Sequence, residues 1–246
     1  MGFNNTVLSG KRILVTGAAR GIGRSCALEF AGLGASVIAV DLSAEDLESL
    51  KQDGGDAVET WQADITSDAF LERLRGLDRL DGLLNNAGTN RVGPMEQQDL
   101  ENIDLIIGLN IRATYRVTQA AITPMLRTGG GSIVTISSQM GHVGSPGRTL
   151  YCMSKHAVEG MSKALSLELA EKGIRVNTVA PTFVMTPMTR PMFEDKAFHD
   201  FVMGMIPMKK LAEAREIADA CVFLLSDLST STTGTSLRVD GGWTAR

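Results

Sequence analysis

Short, nearly unbroken apolar runs alternate along this chain with longer segments whose apolar positions recur every three or four residues. The runs at 11–15, 35–40, 56–62, 80–85, 132–137, 174–180 and 235–239 read as strands. The periodic segments at 24–33, 44–51, a stretch ending at Leu74, 100–126, 151–172 and 213–225 read as helices. An apolar run without strict alternation suits a strand covered on both faces, the condition of a parallel sheet. Strand and helix follow one another at the spacing of repeated βαβ units, so the expected fold class is α/β, with a doubly wound parallel sheet of about seven strands flanked by helices. No Pro/Ser linker or internal repeat interrupts the order, so a single domain spanning 1–246 is expected.

Composition narrows the function classes. The 246 residues are enough for a sizeable core, and the net charge of -4 leaves no basic footprint for nucleic acid. No apolar run approaches the ~20 residues of a membrane span, and residues 1–10 lack the charged-then-apolar order of a signal peptide. Cys26, Cys152 and Cys221 are far apart and the three histidines form no H-x-x-x-H pair. A disulfide framework and a metal centre are therefore not expected, and a cytoplasmic, reducing setting is.

Candidate chemistry begins after the first strand. Thr16-Gly17-Ala18-Ala19-Arg20-Gly21-Ile22-Gly23 leads into a helix, an order that either cradles a pyrophosphate or makes a plain tight turn. Its G-x-x-x-G-x-G spacing differs from the generic G-x-G-x-x-G. Asp41 closes the second strand, where a carboxylate can accept hydrogen bonds from adenosine ribose hydroxyls and repel a 2′-phosphate; it could also cap the next helix, although Ser43 is as good a cap. Arg20 pulls the other way, since a cation in the turn could greet a 2′-phosphate. NAD is expected, with NADP as the alternative. Asp64, beside Ile65, could meet an adenine amino group or cap the following helix, and Asn85-Asn86-Ala87-Gly88 ends the fourth strand. Asn110 lies in an apolar helical stretch and needs hydrogen-bond partners there. Ser138 ends the fifth strand. Tyr151 and Lys155, four apart, share a helix face. An ammonium ~4 Å from a phenol at an effective dielectric of ~20 contributes ~4 kcal/mol and would bring its pKa from ~10 to ~7. Six methionines (Met185, Met188, Met192, Met203, Met205, Met208) fall in 183–208, either as a surface that re-packs over a ligand or as core filler.

Taken together, these motifs resemble the short-chain dehydrogenase/reductase family, from Gly10 to Gly242. The resemblance implies a Rossmann fold in which 183–208 is a substrate-binding lid. It implies that Gly17, Arg20, Gly21, Ile22, Gly23, Asp41, Asp64, Ile65, Asn86, Ala87, Gly88, Tyr151, Lys155, Pro181, Val184 and Thr186 hold the cofactor. It places Asn110, Ser138, Tyr151 and Lys155 in a catalytic tetrad. Tyr151 would take a hydroxyl proton, Ser138 would hold the substrate oxygen, Lys155 would lower the Tyr151 pKa and hold the nicotinamide ribose, and Asn110 would position a relay water. Arg175-Val176-Asn177-Thr178-Val179-Ala180-Pro181 resembles the strand below the nicotinamide, but Thr182 stands where the family commonly has glycine. The loop must then follow a path open to a β-branched residue.

The expected substrate pocket collects Asn90, Arg91, Ser138, Gln139, His142, Arg148, Tyr151 and Arg190, polar enough for a substrate with several hydroxyls, and its arginines could grip an anion. The 137–144 and 180–183 stretches resemble sugar or polyol dehydrogenases of the family. NAD-dependent oxidation of a sugar, sugar acid or sulfonated sugar is therefore expected. The alternatives are an NADPH-dependent 3-oxoacyl thioester or ketone reductase and, from another class, a non-catalytic cofactor sensor. The resemblance also implies a homotetramer, with 100–126 and 151–172 in one interface and the last strand and Trp243 in the other.

Overall fold

The computed structural model describes residues 3–186 and 189–245. Its seven strands are β1 (Arg12–Thr16), β2 (Ser36–Asp41), β3 (Val58–Gln62), β4 (Gly82–Asn85), β5 (Gly131–Ile136), β6 (Ile174–Pro181) and β7 (Ser236–Val239). They form one sheet in the order β3-β2-β1-β4-β5-β6-β7, every neighbouring pair parallel. The doubly wound α/β architecture expected from the pattern is what the chain adopts.

Both faces of the sheet are covered, which is why the strands read as unbroken apolar runs. On one face Ile13, Val15, Val37 and Ala39 join Cys26 and Phe30 of α1 (Gly21–Gly32), Leu47 and Leu50 of α2 (Ala44–Gly54), and a far-off C-terminal helix through Ile217 and Cys221. On the other face Leu14, Ile38 and Val40 meet Phe70 and Leu74 of α3 (Asp68–Arg75) and several later helices. A one-residue slip in register would exchange these two sets.

The stretch 100–126, expected as one helix, is α4 (Leu100–Ile106), a π-helical segment (Ile107–Ala113) and α5 (Thr114–Arg127). Asn110 sits in the π-helical segment. Then come α6 (Thr149–Leu169), α7 (Lys196–Met205) and α8 (Ala214–Leu225). No helix among the described residues is long and apolar enough to cross a membrane.

Arg175 on β6 fastens α8. Its guanidinium donates to the carbonyls of Leu224 (2.7 Å) and Ser226 (3.0 Å) and to Ser229 Oγ (2.8 Å), covering carbonyls that the helix end leaves unpaired. Arg175→Met is expected to lower the unfolding free energy by about 2 kcal/mol. Urea denaturation followed by circular dichroism checks this.

Candidate active site

Because all strands run the same way, their C-terminal ends share one edge of the sheet, and a cavity of about 790 Å³ opens there. At the end of β1 the chain reverses at Gly17 (φ 62°) and again at Gly21 (φ 55°), backbone angles suited to glycine. A Cβ on Gly17 would meet Ala87 Cα at 2.9 Å; one on Gly23 would meet the Gly17 oxygen at 2.1 Å. The turn is tied from below: the Asn86 amide donates to the Thr16 and Gly17 carbonyls (3.0 and 2.9 Å), and Thr16 Oγ1 accepts from the Asn86 and Ala87 N–H groups, both at 3.1 Å. The N-cap of α1, Arg20, offers its first turn no side-chain acceptor, and that turn contains no acid. Gly17, Arg20, Gly21, Ile22, Asn86, Ala87 and Gly88 line the cavity. Gly23 does not; its lack of a side chain lets α1 lie directly on the turn.

Asp41, Leu42, Asp64 and Ile65 line the far end of the cavity. The Asp41 carboxylate accepts from the N–H groups of Ala19 (3.1 Å) and Leu42 (2.8 Å), joining the glycine turn to the end of β2. The capping alternatives for both acids fall away, because Ser43 caps α2 and Ser67 caps α3. Asp64 instead accepts from the Thr66 N–H and hydroxyl through Oδ1, both at 2.8 Å. Arg20 turns to Asp46, its Nε donating at 2.7 Å, so the one cation of the turn already has an acid partner.

In the middle of the cavity wall stand Ser138, Tyr151 and Lys155. The Lys155 ammonium bonds the main chain rather than the phenol. It is buried, donates to the Ile136 carbonyl at 2.8 Å, and lies 5.5 Å from the Tyr151 ring centroid. Burial lowers its pKa to about 8, with Glu159, one turn further along α6, opposing the shift. Burial raises the Tyr151 pKa rather than lowering it; the Ser138 hydroxyl bonded to the phenol and the nearby Arg148 guanidinium act in the opposite sense. Asn110 is held by protein partners on either side. It does not line the cavity: its amide donates to the Thr89 carbonyl (2.8 Å) and Ser154 Oγ (3.1 Å), and its oxygen accepts from the Thr89 N–H (2.9 Å). It braces the loop after Gly88 against α6.

Of the expected substrate residues, Asn90, Ser138, Gln139, Arg148 and Tyr151 line the cavity. Arg91, His142 and Arg190 do not. Arg91 and Arg190 are exposed, and Arg91 folds back onto Thr89 Oγ1 and the Asn90 carbonyl. His142 faces the sheet, with Nε2 2.9 Å from Ser236 Oγ and 3.4 Å from Glu159. Glu159 is buried and also accepts from Thr178 Oγ1 (2.9 Å) and Ser236 Oγ (3.0 Å). Its signal was present in the sequence as an acid one turn beyond Lys155.

Pro181, Thr182, Val184 and Thr186 line the cavity, and Thr182 avoids positive φ, so the path is open to its β-branched side chain. Around Phe183 the packing of 183–208 is aromatic. Phe183 contacts Phe193, Phe198 and Trp243 at 6.0, 5.4 and 5.9 Å between centroids. Of the described methionines there, Met192 alone reaches the cavity, and Met188 lies outside the described residues. Trp243 packs on Phe183 and Phe201.

A family model described as enoyl-(acyl carrier protein) reductase matches residues 17–244. The 3-oxoacyl-[acyl-carrier-protein] reductase of Thermotoga maritima is 38% identical over 96% of this chain and 98% of its own length. The chain belongs to the short-chain dehydrogenase/reductase family. A second member, D-threitol dehydrogenase of Mycolicibacterium smegmatis, is also 38% identical, over 97% of this chain and 95% of its own. Among solved members, a candidate NAD(P)-dependent gluconate 5-dehydrogenase from Beutenbergia cavernae, holding NADP at low occupancy, superposes with a TM-score of 0.92. It is 34% identical and covers 98% of this chain and 100% of that one. This short-chain dehydrogenase/reductase is accordingly an oxidoreductase acting on CH–OH groups.

A nicotinamide dinucleotide fits the residues present: the turn is stripped of side chains where a phosphate must approach, and the helix behind it is uncapped. Gly23→Ala is expected to displace the turn and weaken NADH binding at least about tenfold (~1.4 kcal/mol). Titration of NADH fluorescence reads the change.

Proposed function

We propose that this enzyme oxidises a hydroxyl of a sugar, polyol or sugar acid, with NAD preferred over NADP. The observation that carries the reading is a set of buried oxygens on cavity-lining side chains. Asn90 Oδ1, Gln139 Oε1 and Thr182 Oγ1 have no partner among the described residues. Each such group costs about 1–3 kcal/mol if left unpaired, and a small rotation of these side chains on substrate entry would turn their oxygens towards the hydroxyls of a sugar. The threitol and gluconate relatives support the same class.

In this reading Tyr151 takes the proton of the reacting hydroxyl and Ser138 holds its oxygen. Lys155, fixed on Ile136, keeps a cation beside them, and Asn110 steadies the loop that carries Asn90. A bound dinucleotide would supply the hydride acceptor, so that loss of the hydroxyl proton to Tyr151 and of a hydride from the carbon bearing that hydroxyl would leave a carbonyl. Gly17, Arg20, Gly21, Ile22, Asn86, Ala87 and Gly88 would hold its phosphates and the adjoining sugar. Asp41, Asp64 and Ile65 would take the adenosine end, and Pro181, Val184 and Thr186 the nicotinamide end. Gly23 supports the turn from behind. The NAD preference rests on Asp41, on the apolar Leu42 next to it, and on the engagement of Arg20 by Asp46. We read 1–246 as one catalytic unit with 183–208 as its lid. The exposed apolar side chains Leu100, Tyr115, Leu126, Met153 and Leu167 support a homo-oligomer.

A second reading, reduction of a 3-oxoacyl thioester with NADPH, is favoured by the Thermotoga maritima relative. Absorbance at 340 nm separates the two: NAD with aldoses, alditols and sugar acids is expected to turn over. NADPH oxidation with acetoacetyl thioester, and silence with every sugar, would overturn the proposal. Tyr151→Phe is expected to lose at least about 100-fold in kcat while keeping NADH affinity. A sensor would keep its output in that variant.

Proton bookkeeping sets the pH dependence. Oxidation needs Tyr151 without its proton, and burial holds that proton on. The oxidative kcat/KM should therefore climb with rising pH as Tyr151 loses its proton, and the climb should slacken above about 8, where Lys155 loses the charge that favours the phenolate. The reductive kcat/KM should fall over the same range. Asp41→Ser is expected to raise the NADP/NAD ratio of kcat/KM about tenfold or more.

A further inference from the structure

We propose that Arg148 is the anchor for an anionic group of the substrate, so that the molecule oxidised beside Tyr151 is a sugar acid rather than a neutral polyol. This rests on the sugar-oxidation reading and sharpens it to one substrate class.

Arg148 occupies the N-cap position of α6, three residues before Tyr151, and lines the same cavity. It is 7% exposed, which for a guanidinium calls for compensation. The rest of the chain provides that compensation elsewhere. Arg12 pairs with Glu59, Arg24 with Asp53, and Arg79 with Asp81. Arg175, also withdrawn from solvent, donates to two carbonyls and a hydroxyl. Arg148 has no acid within salt-bridge range and no hydrogen-bond acceptor among the described residues. Its one contact of this kind is the Phe183 ring, 5.6 Å from the guanidinium carbon.

A guanidinium does not shed its proton to escape burial. The charge therefore stays in the cavity wall, waiting for an oxyanion that it can hold by two parallel N–H···O bonds. Phe183 is itself wedged between Phe198 and Trp243, so the ring under the cation is held in place. The cofactor's own anionic groups have their cradle elsewhere, on the glycine turn. What remains near Arg148 is the space beside Tyr151, whose wall also carries the polar residues Asn90, Gln139 and Thr182. A carboxylate on Arg148, a reacting hydroxyl at Tyr151 and further hydroxyls on these polar side chains together describe an aldonic or ketoaldonic acid.

The test compares matched aldonates and alditols of four to six carbons, with wild type, Arg148→Lys and Arg148→Met. Wild type is expected to favour the acids in kcat/KM. Arg148→Met should cut the acid-to-alditol ratio about 100-fold, mostly through KM, with Arg148→Lys in between. NADH fluorescence confirms that each variant still folds and binds cofactor. A wild-type preference for alditols, or an equal loss on both series in Arg148→Met, overturns the assignment while leaving sugar oxidation intact. Thermal shift of the NADH complex with each aldonate and with the corresponding sugar sulfonate gives a readout independent of turnover. Stabilisation of wild type but not of Arg148→Met supports the anchor and tells carboxylate from sulfonate. If neither acids nor alditols turn over, it is the oxidation reading that fails, and absence of any aldonate- or sulfonate-induced shift then removes the anchor as well.

Discussion

The hold of the Asn86 amide on the carbonyls of Thr16 and Gly17 is the fastening on which the rest of the site depends. It joins the C-terminal ends of β4 and β1, neighbours in the sheet, and it spans a turn that has too few side chains to hold itself. Once the turn is fixed, α1 can approach it through Gly23, and Asp41 can reach the Ala19 N–H from the next strand. The loop beyond Gly88 is then secured from the other side by Asn110. Three short polar side chains, each bonded to main chain, thereby convert the open edge of a parallel sheet into a shaped cavity.

Around that frame the charges are arranged unequally. At the Asp41 end of the cavity Arg20 and Asp46 neutralise one another in solvent, where such a pair contributes little to stability and can open readily. In the middle, Lys155 is dry and tethered to Ile136, and its charge is supported from behind by Glu159. Glu159 is in turn held by Thr178, Ser236 and His142. A polar layer thus runs from β7 through α6 to the reactive wall, beneath residues that are otherwise apolar.

Much of this was legible in the sequence, and the parts that were not share a cause. Spacing conveys which residues lie on one face, so the strands, the glycine turn and the neighbourhood of Ser138, Tyr151 and Lys155 could all be read from it. Spacing does not convey where a long side chain ends. Lys155 reaches a carbonyl instead of the phenol, His142 turns towards Glu159, and Arg91 folds onto its own loop. Gly23 was legible as a glycine needed by the turn, but whether it faces a ligand or a helix depends on close packing. Helical periodicity could not distinguish the π-helical segment from the α-helices flanking it, since its apolar residues differ little in spacing over a single turn.

That segment has a bearing on how the chain tolerates change. Bonding from i to i+5 holds more residues per turn than the α-helix on either side. Side chains of α5 are therefore rotated from the phase an unbroken helix would impose, by about 100° for each surplus residue. This phase lets Asn110 face Thr89 while Val117, Ala120 and Met125 still reach the core. The number of residues between Ile107 and Ala113 is consequently as constrained as their identity. Gain or loss of one would turn either the brace or the apolar face away from its partner.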